Sequence, residues 1–148
     1  MVLNATGFST EGQYVIKVKN QSSDSYQLRT PKTIKDFIAA WSNLDADELT
    51  GYFTEDGVYY NMPAEPVQGR DNLKQFIGGF IGSWTKTTWD TLNIVAAGDV
   101  VFAERLDRTE VGDIKVNLPC CGVFEMEDGK IKVWRDYFDM ATFTKPFS

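Results

Sequence analysis

Past about residue 84 the apolar residues of this chain change from mostly helical spacing to strand spacing. Ile34, Phe37, Ile38, Trp41 and Leu44 recur at helical spacing. Thr30 can cap that helix with Pro31 at its first position, where proline's missing N–H is not needed. Asp45 followed by Glu48 resembles a capping box and predicts a second, short helix through Leu49, Tyr52 and Phe53. "TEDG" reads as a turn and "VYYNMP" as a strand stopped by Pro63. Gly69 leads into a helix with Leu73, Phe76, Ile77 and Phe80 on one side, its end loosened by Gly78, Gly79 and Gly82. From there on, strand-like stretches are predicted over 85–97, 100–111, 114–126 and 130–140, with "AGD", "VGD" and "EDG" supplying hairpin chemistry between them.

That order predicts an α+β fold: a highly curved, mixed but largely antiparallel sheet with helices packed on its concave face. Such a sheet forms a cone, and a cone can enclose a pocket. Residues 1–29 stand apart: "QYVIKVK" reads as a short strand and "NQSSDSYQ" as a polar linker. The expectation is an N-terminal extension over 1–29 and a single cone domain over 30–148, and the length of 148 residues suits one sizeable core.

Composition narrows the chemistry. A net charge of -6 argues against nucleic acid as a partner, because phosphate binding needs a basic face. No apolar run reaches transmembrane length, and the first residues lack a secretory pattern, so no membrane association and a cytoplasmic location are expected. The glycosylation patterns at Asn4 and Asn20 then carry no weight. Cys120 and Cys121 are neighbours, point to opposite faces of a strand, and suit a reducing compartment as two free thiols. The most informative count is the absence of histidine. It excludes Ser-His-Asp and Cys-His machinery and His-ligated zinc, leaving acid–base chemistry to Asp, Glu, Lys, Tyr or Cys.

"WRDYFD" brings Asp136 to the same strand face as Trp134 and Phe138, with Arg135 on the other face. If the aromatic face is the inner one, Asp136 is a carboxylate in apolar surroundings that needs a partner or a proton. Arg105 and Asp107 share a face with Val101 and Ala103, although Phe102 and Leu106 make the opposite face equally apolar. Tyr59 and Asn61 share a face in "VYYNMP". Taken alone, these polar residues fit either a buried structural ion network or a catalytic group.

"YYNMP", "ERLD" and "WRDYFD", in this order and spacing, resemble the limonene-1,2-epoxide hydrolase family of the nuclear-transport-factor-like, cystatin-type cone superfamily. "GRDNLKQF" and "GVFEMEDGKI" extend the resemblance over about Thr30 to Phe143. It implies a cofactor-free, metal-free epoxide hydrolase that forms a vicinal diol in one step from water and a cyclic or bulky apolar epoxide, limonene-1,2-epoxide first. Asp136 would be the general base, Asn61 and Tyr59 would hold the water, Asp107 would be the general acid, and Arg105 would sit between the carboxylates. Trp41, Phe80, Trp84, Trp89, Leu118, Cys120 and Phe138 would line the pocket, and a homodimer would form through the sheet's outer face. Bulky Trp41, Trp84 and Trp89, with Thr109 and Lys86 where the family tends to be apolar, imply a reshaped pocket. An isomerase or polyketide-cyclase-like enzyme of the same fold, or a non-catalytic module for an apolar ligand, are the alternatives.

Overall fold

The computed structural model describes residues 24–148; the expected "QYVIKVK" strand lies outside them. Helices α1 (Asp24–Ala40), α2 (Ala46–Thr50) and α3 (Arg70–Ile81) accompany a six-stranded sheet. Its strands are β1 (Phe53–Asn61), β2 (Val67–Gln68), β3 (Lys86–Ala97), β4 (Val100–Val111), β5 (Ile114–Glu127) and β6 (Lys130–Phe138), and a short helix α4 (Met140–Thr144) follows. The spatial order is β2-β1-β6-β5-β4-β3. Every pairing is antiparallel except β1 with β6, which is parallel. The sheet is therefore mixed and open, as the α+β reading expects.

Four boundaries differ from the sequence reading. Helix α1 begins at Asp24, so Thr30 is not its cap, and part of the expected linker is helical. Pro31 is an interior residue there; it removes one helical hydrogen bond, and the helix continues on both sides of it. That helix gives way to a 3-10 turn at Trp41–Asn43, and Leu44, at φ 52°, closes it with its N–H on the Trp41 carbonyl. Asp45 caps α2 as predicted, accepting from the N–H groups of Asp47 and Glu48 at 2.8 and 3.1 Å. But α2 stops at Thr50, because the Ile131 N–H already binds the Tyr52 carbonyl at 2.8 Å and draws the chain into the sheet.

"TEDG" is not a turn. It is a bulge inside β1: Phe53 pairs with Ile131 and Val58 with Val133, so four residues of β1 lie opposite one of β6. Gly57 is needed in it, since a Cβ there would lie 3.0 Å from the Phe53 side chain. The last strand ends at Phe138 rather than at 140, because Asp139 caps α4 by accepting from the Thr142 N–H and hydroxyl.

The core lies between the helices and the inner sheet face. Phe37 of α1 meets Trp41, Phe53, Phe124 and Trp134 edge-on at centroid distances of 5.2–6.1 Å. Trp134 is stacked between Tyr59 at 4.0 Å and Phe124 at 5.4 Å. These rings fix the centre of the sheet, and the polar residues of interest sit beside them. Among the described residues no helix is long and apolar enough to cross a membrane.

Candidate active site

One row of the sheet positions the site. Ala103 on β4 pairs with Gly122 on β5, Gly122 with Asp136 on β6, and Asp136 with Asn61 on β1. Side-chain alternation puts Arg105 and Asp107 on the same inner face as Ala103. That settles the parity that the apolar pattern of β4 left open: Phe102, on the opposite face, is 45% exposed, whereas Arg105 is fully buried.

Arg105 is the partner Asp136 requires. Its Nε and Nη2 donate to the two oxygens of Asp107 at 3.1 and 3.0 Å. Nη2 also donates to both oxygens of Asp136, at 3.0 and 2.9 Å. Asp107 and Asp136 are 5% and 3% exposed, so all three groups are removed from bulk water. The guanidinium lies over the rings of Trp89 and Trp134, its carbon 4.7 and 5.6 Å from their centroids. Arg135, as expected, points away and pairs with Glu125.

Two carboxylates on one guanidinium leave an excess negative charge, and burial decides how it is relieved. Burial pushes the Asp107 carboxyl above its usual range, more than the Arg105 charge pulls it down. Burial opposes the Arg105 charge, but Asp136 and Asp107 outweigh it and hold the guanidinium protonated. Burial likewise pushes the Tyr59 hydroxyl well up, with Asp136 adding to it, so the phenol is a neutral donor. A proton on the raised Asp107 carboxyl would relieve that excess.

Asp107, Cys120 and Asp136 each bring a ligand atom within 4.8 Å of the others. The guanidinium already takes the place between the carboxylates that a metal ion would need. Burial, with Asp107 and Asp136 nearby, raises the Cys120 thiol far above its ordinary value, so in this site it is a neutral thiol. Both cysteines are free, Cys120 buried and Cys121 exposed.

A cavity of about 160 Å³ opens on this cluster. Tyr59, Asn61, Asp107 and Asp136 form its polar end. Asn61 Oδ1 is buried there without a hydrogen-bond partner in the protein. Phe80, Trp84, Trp89, Leu118, Cys120 and Phe138 form the apolar wall, as the resemblance implied. Trp41 does not line it. Its ring lies one layer behind, stacked on Trp89 at 4.1 Å and on Phe80 at 5.8 Å, because the 3-10 turn buries it completely. Thr109 is in the wall, its hydroxyl 2.8 Å from that of Thr87, whereas Lys86 is exposed and takes no part.

Val116, Met140 and Phe143 complete the wall without having been anticipated. Val116 was legible as the residue two before Leu118 on one face. Met140 and Phe143 come from α4, whose sequence signal was Asp139 three residues before Thr142.

Comparison with known proteins places this chain in a family. Residues 29–148 match the limonene-1,2-epoxide hydrolase catalytic domain. The chain belongs to that family. Epoxide hydrolase EphG of Mycobacterium tuberculosis is 34% identical over 110 residues, 72% of this chain and 71% of that protein. An LEH-like epoxide hydrolase structure from M. tuberculosis superposes with a TM-score of 0.72 at 29% identity, over 81% of this chain and 90% of that one. SalBIII, an epoxide hydrolase/cyclase-like enzyme in pyran ring formation, shares the fold with a TM-score of 0.69 at 16% identity, over 78% and 94%. For a member of the limonene-1,2-epoxide hydrolase family, epoxide hydrolysis is the activity at family level.

Proposed function

We propose that this protein adds water to compact apolar epoxides, limonene-1,2-epoxide being the first to try, and releases vicinal diols in one step. The observation that carries the reading is Arg105 bridging two buried carboxylates at the polar end of an apolar cavity. Water held at this end would donate to Asp136 and to the unpartnered Asn61 Oδ1 and accept from Tyr59, keeping one lone pair for carbon. As the C–O bond breaks, Asp107 gives its proton to the epoxide oxygen while Asp136 takes one from the water. One C–O bond forms, one breaks, and the proton now on Asp136 returns to Asp107 through solvent before the next turnover.

Pockets for drug-sized ligands run roughly 300–1,000 Å³, so a cavity of about 160 Å³ suits a small hydrocarbon epoxide. An isomerase needs a base over a substrate C–H bond and an oxyanion stabiliser; an acid set opposite a base on one guanidinium serves ring opening better.

A single turnover with enzyme in excess, run in isotopically labelled water, is expected to place solvent oxygen in the first diol formed. Oxygen arriving from an enzyme carboxylate instead rules out direct attack. We extend the reading to a homodimer through the outer sheet face, where Val95 and Phe102 are exposed and paired across β3 and β4 and Tyr137 is exposed on the same face. Light scattering should return twice the chain mass, and a Phe102→Glu variant should return the monomer; a monomeric wild type would reject this assembly.

A further inference from the structure

We propose that Gly122 is a positioning residue of the acid–base site: its missing side chain is the slot through which the Arg105 guanidinium crosses β5 to reach Asp136. The inference rests on the hydrolase reading for its consequence and on geometry alone for its cause.

Arg105 and Asp136 stand on strands that are not neighbours. Strand β5 lies between β4 and β6, so their backbones are roughly 10 Å apart, and the guanidinium must pass over whatever β5 presents on its inner face. Arg105 pairs with Cys120, and Asp136 pairs with Gly122. The line from one to the other therefore crosses β5 diagonally between Cys120 and Gly122. A Cβ there would lie 2.6 Å from Arg105 Nη1. Nη1 is buried and has no hydrogen-bond partner, while Nε and Nη2 make every contact to the carboxylates. The guanidinium is planar and rigid, so pressure on Nη1 displaces Nη2, the nitrogen that holds Asp136.

The backbone gives no other reason for glycine at this position. Gly122 is not among the residues with positive φ, and it pairs regularly on both sides. Glycine weakens a strand interior and is found there where another group must come close. The competing explanation is Phe124, whose ring atoms would lie 2.8 and 3.0 Å from the same Cβ. The two are separable, because Phe124 touches the reaction only through packing.

The test compares wild type, Gly122→Ala, Arg105→Lys, the Arg105→Lys/Gly122→Ala double variant and the Gly122→Ala/Phe124→Leu double variant of the full chain. Gly122→Ala is expected to lower kcat by roughly 10- to 100-fold with KM nearly unchanged, as a misplaced reacting group does. The acid-side fall of kcat should move to higher pH, since a carboxylate that loses its cation holds a proton more tightly. Lysine has no Nη1, so Gly122→Ala should cost at least about 5 °C in Tm with arginine at 105 and under about 2 °C with lysine there. If Gly122→Ala fails to fold, a folded Arg105→Lys/Gly122→Ala protein supports the proposal, and an unfolded one beside a folded Arg105→Lys overturns it. Wild-type kcat and pH profile in Gly122→Ala, equal Tm losses in both backgrounds, or recovery of kcat by Phe124→Leu also overturn it. Failure of the hydrolase reading is distinguishable: wild type then opens no epoxide, and the Tm cycle alone decides whether Gly122 seats Arg105.

Discussion

Asp136→Asn should lower kcat by roughly 10³-fold or more while the protein still binds substrate, because the amide keeps the shape and loses the proton acceptor. The loss should be deeper than that of a base alone. Arg105 now faces one carboxylate instead of two. The cluster regains neutrality if Asp107 ionises, and an ionised Asp107 has no proton to give to the epoxide oxygen. Raising or lowering the pH is therefore not expected to rescue turnover. Steady-state rates, with affinity read from tryptophan emission, check both halves of this prediction. Turnover within a few-fold of wild type would remove Asp136 from the role of base. Unchanged binding alongside lost turnover is what separates an enzyme from a module that only holds an apolar ligand.

Arg105→Met should destabilise the fold by about 3–5 kcal/mol, the usual cost of breaking a buried ion cluster by removing one partner. The deficit should depend on pH, and its sign follows from Asp107. Burial raises that carboxyl, so the neutral form is the one the folded state favours. Its favourable contribution is fully present below the unfolded-state value and is lost as pH rises through the raised folded value. In the wild type Arg105 limits that loss; in the variant nothing does. Urea denaturation should thus show a large deficit at about pH 8 that shrinks at about pH 5, where protonated carboxyls leave no uncompensated charge. Replacing Asp107 and Asp136 with leucine in the same variant should recover most of the stability, since a cavity wall that is apolar throughout has no charge to compensate. A deficit independent of pH would mean that the variant's cost lies in packing against Trp89 and Trp134 rather than in charge.

Much of this arrangement was legible in the sequence, and the reasons are specific. Alternation alone put Asp136 beside Trp134 and Phe138, and a carboxylate on an aromatic face demands a partner. The hairpins of the meander were placed correctly because each carries glycine beside an aspartate. Parity failed only for β4, where both faces look apolar; Phe102 sits on the outer face, and sequence gives no sign of what covers it. The start of α1 was misplaced because proline is a good first residue and a tolerable interior one. "TEDG" has turn chemistry, and a bulge uses the same residues. Trp41 was assigned to the pocket wall because family position does not tell a wall from the layer behind it. Gly122 escaped notice for a different reason: its function is the volume it leaves to a side chain from another strand, which no local pattern records.

The parallel joining of β1 to β6 has a kinetic consequence. The pairing joins Asn61 to Asp136, about half the chain length apart, and a contact of such sequence separation is expected to form late, after a large loop-closure entropy has been overcome. The β3–β4–β5 hairpins can assemble first and carry Arg105 with Asp107; β6 then delivers Asp136, and β1 closes over it with Asn61 and Tyr59. Each charge thereby stays hydrated until its counter-ion arrives. In that order a nascent chain that has not yet released its last strand would hold no assembled acid–base cluster, and dehydration of the ions would be the final act of folding rather than an early obstacle to it.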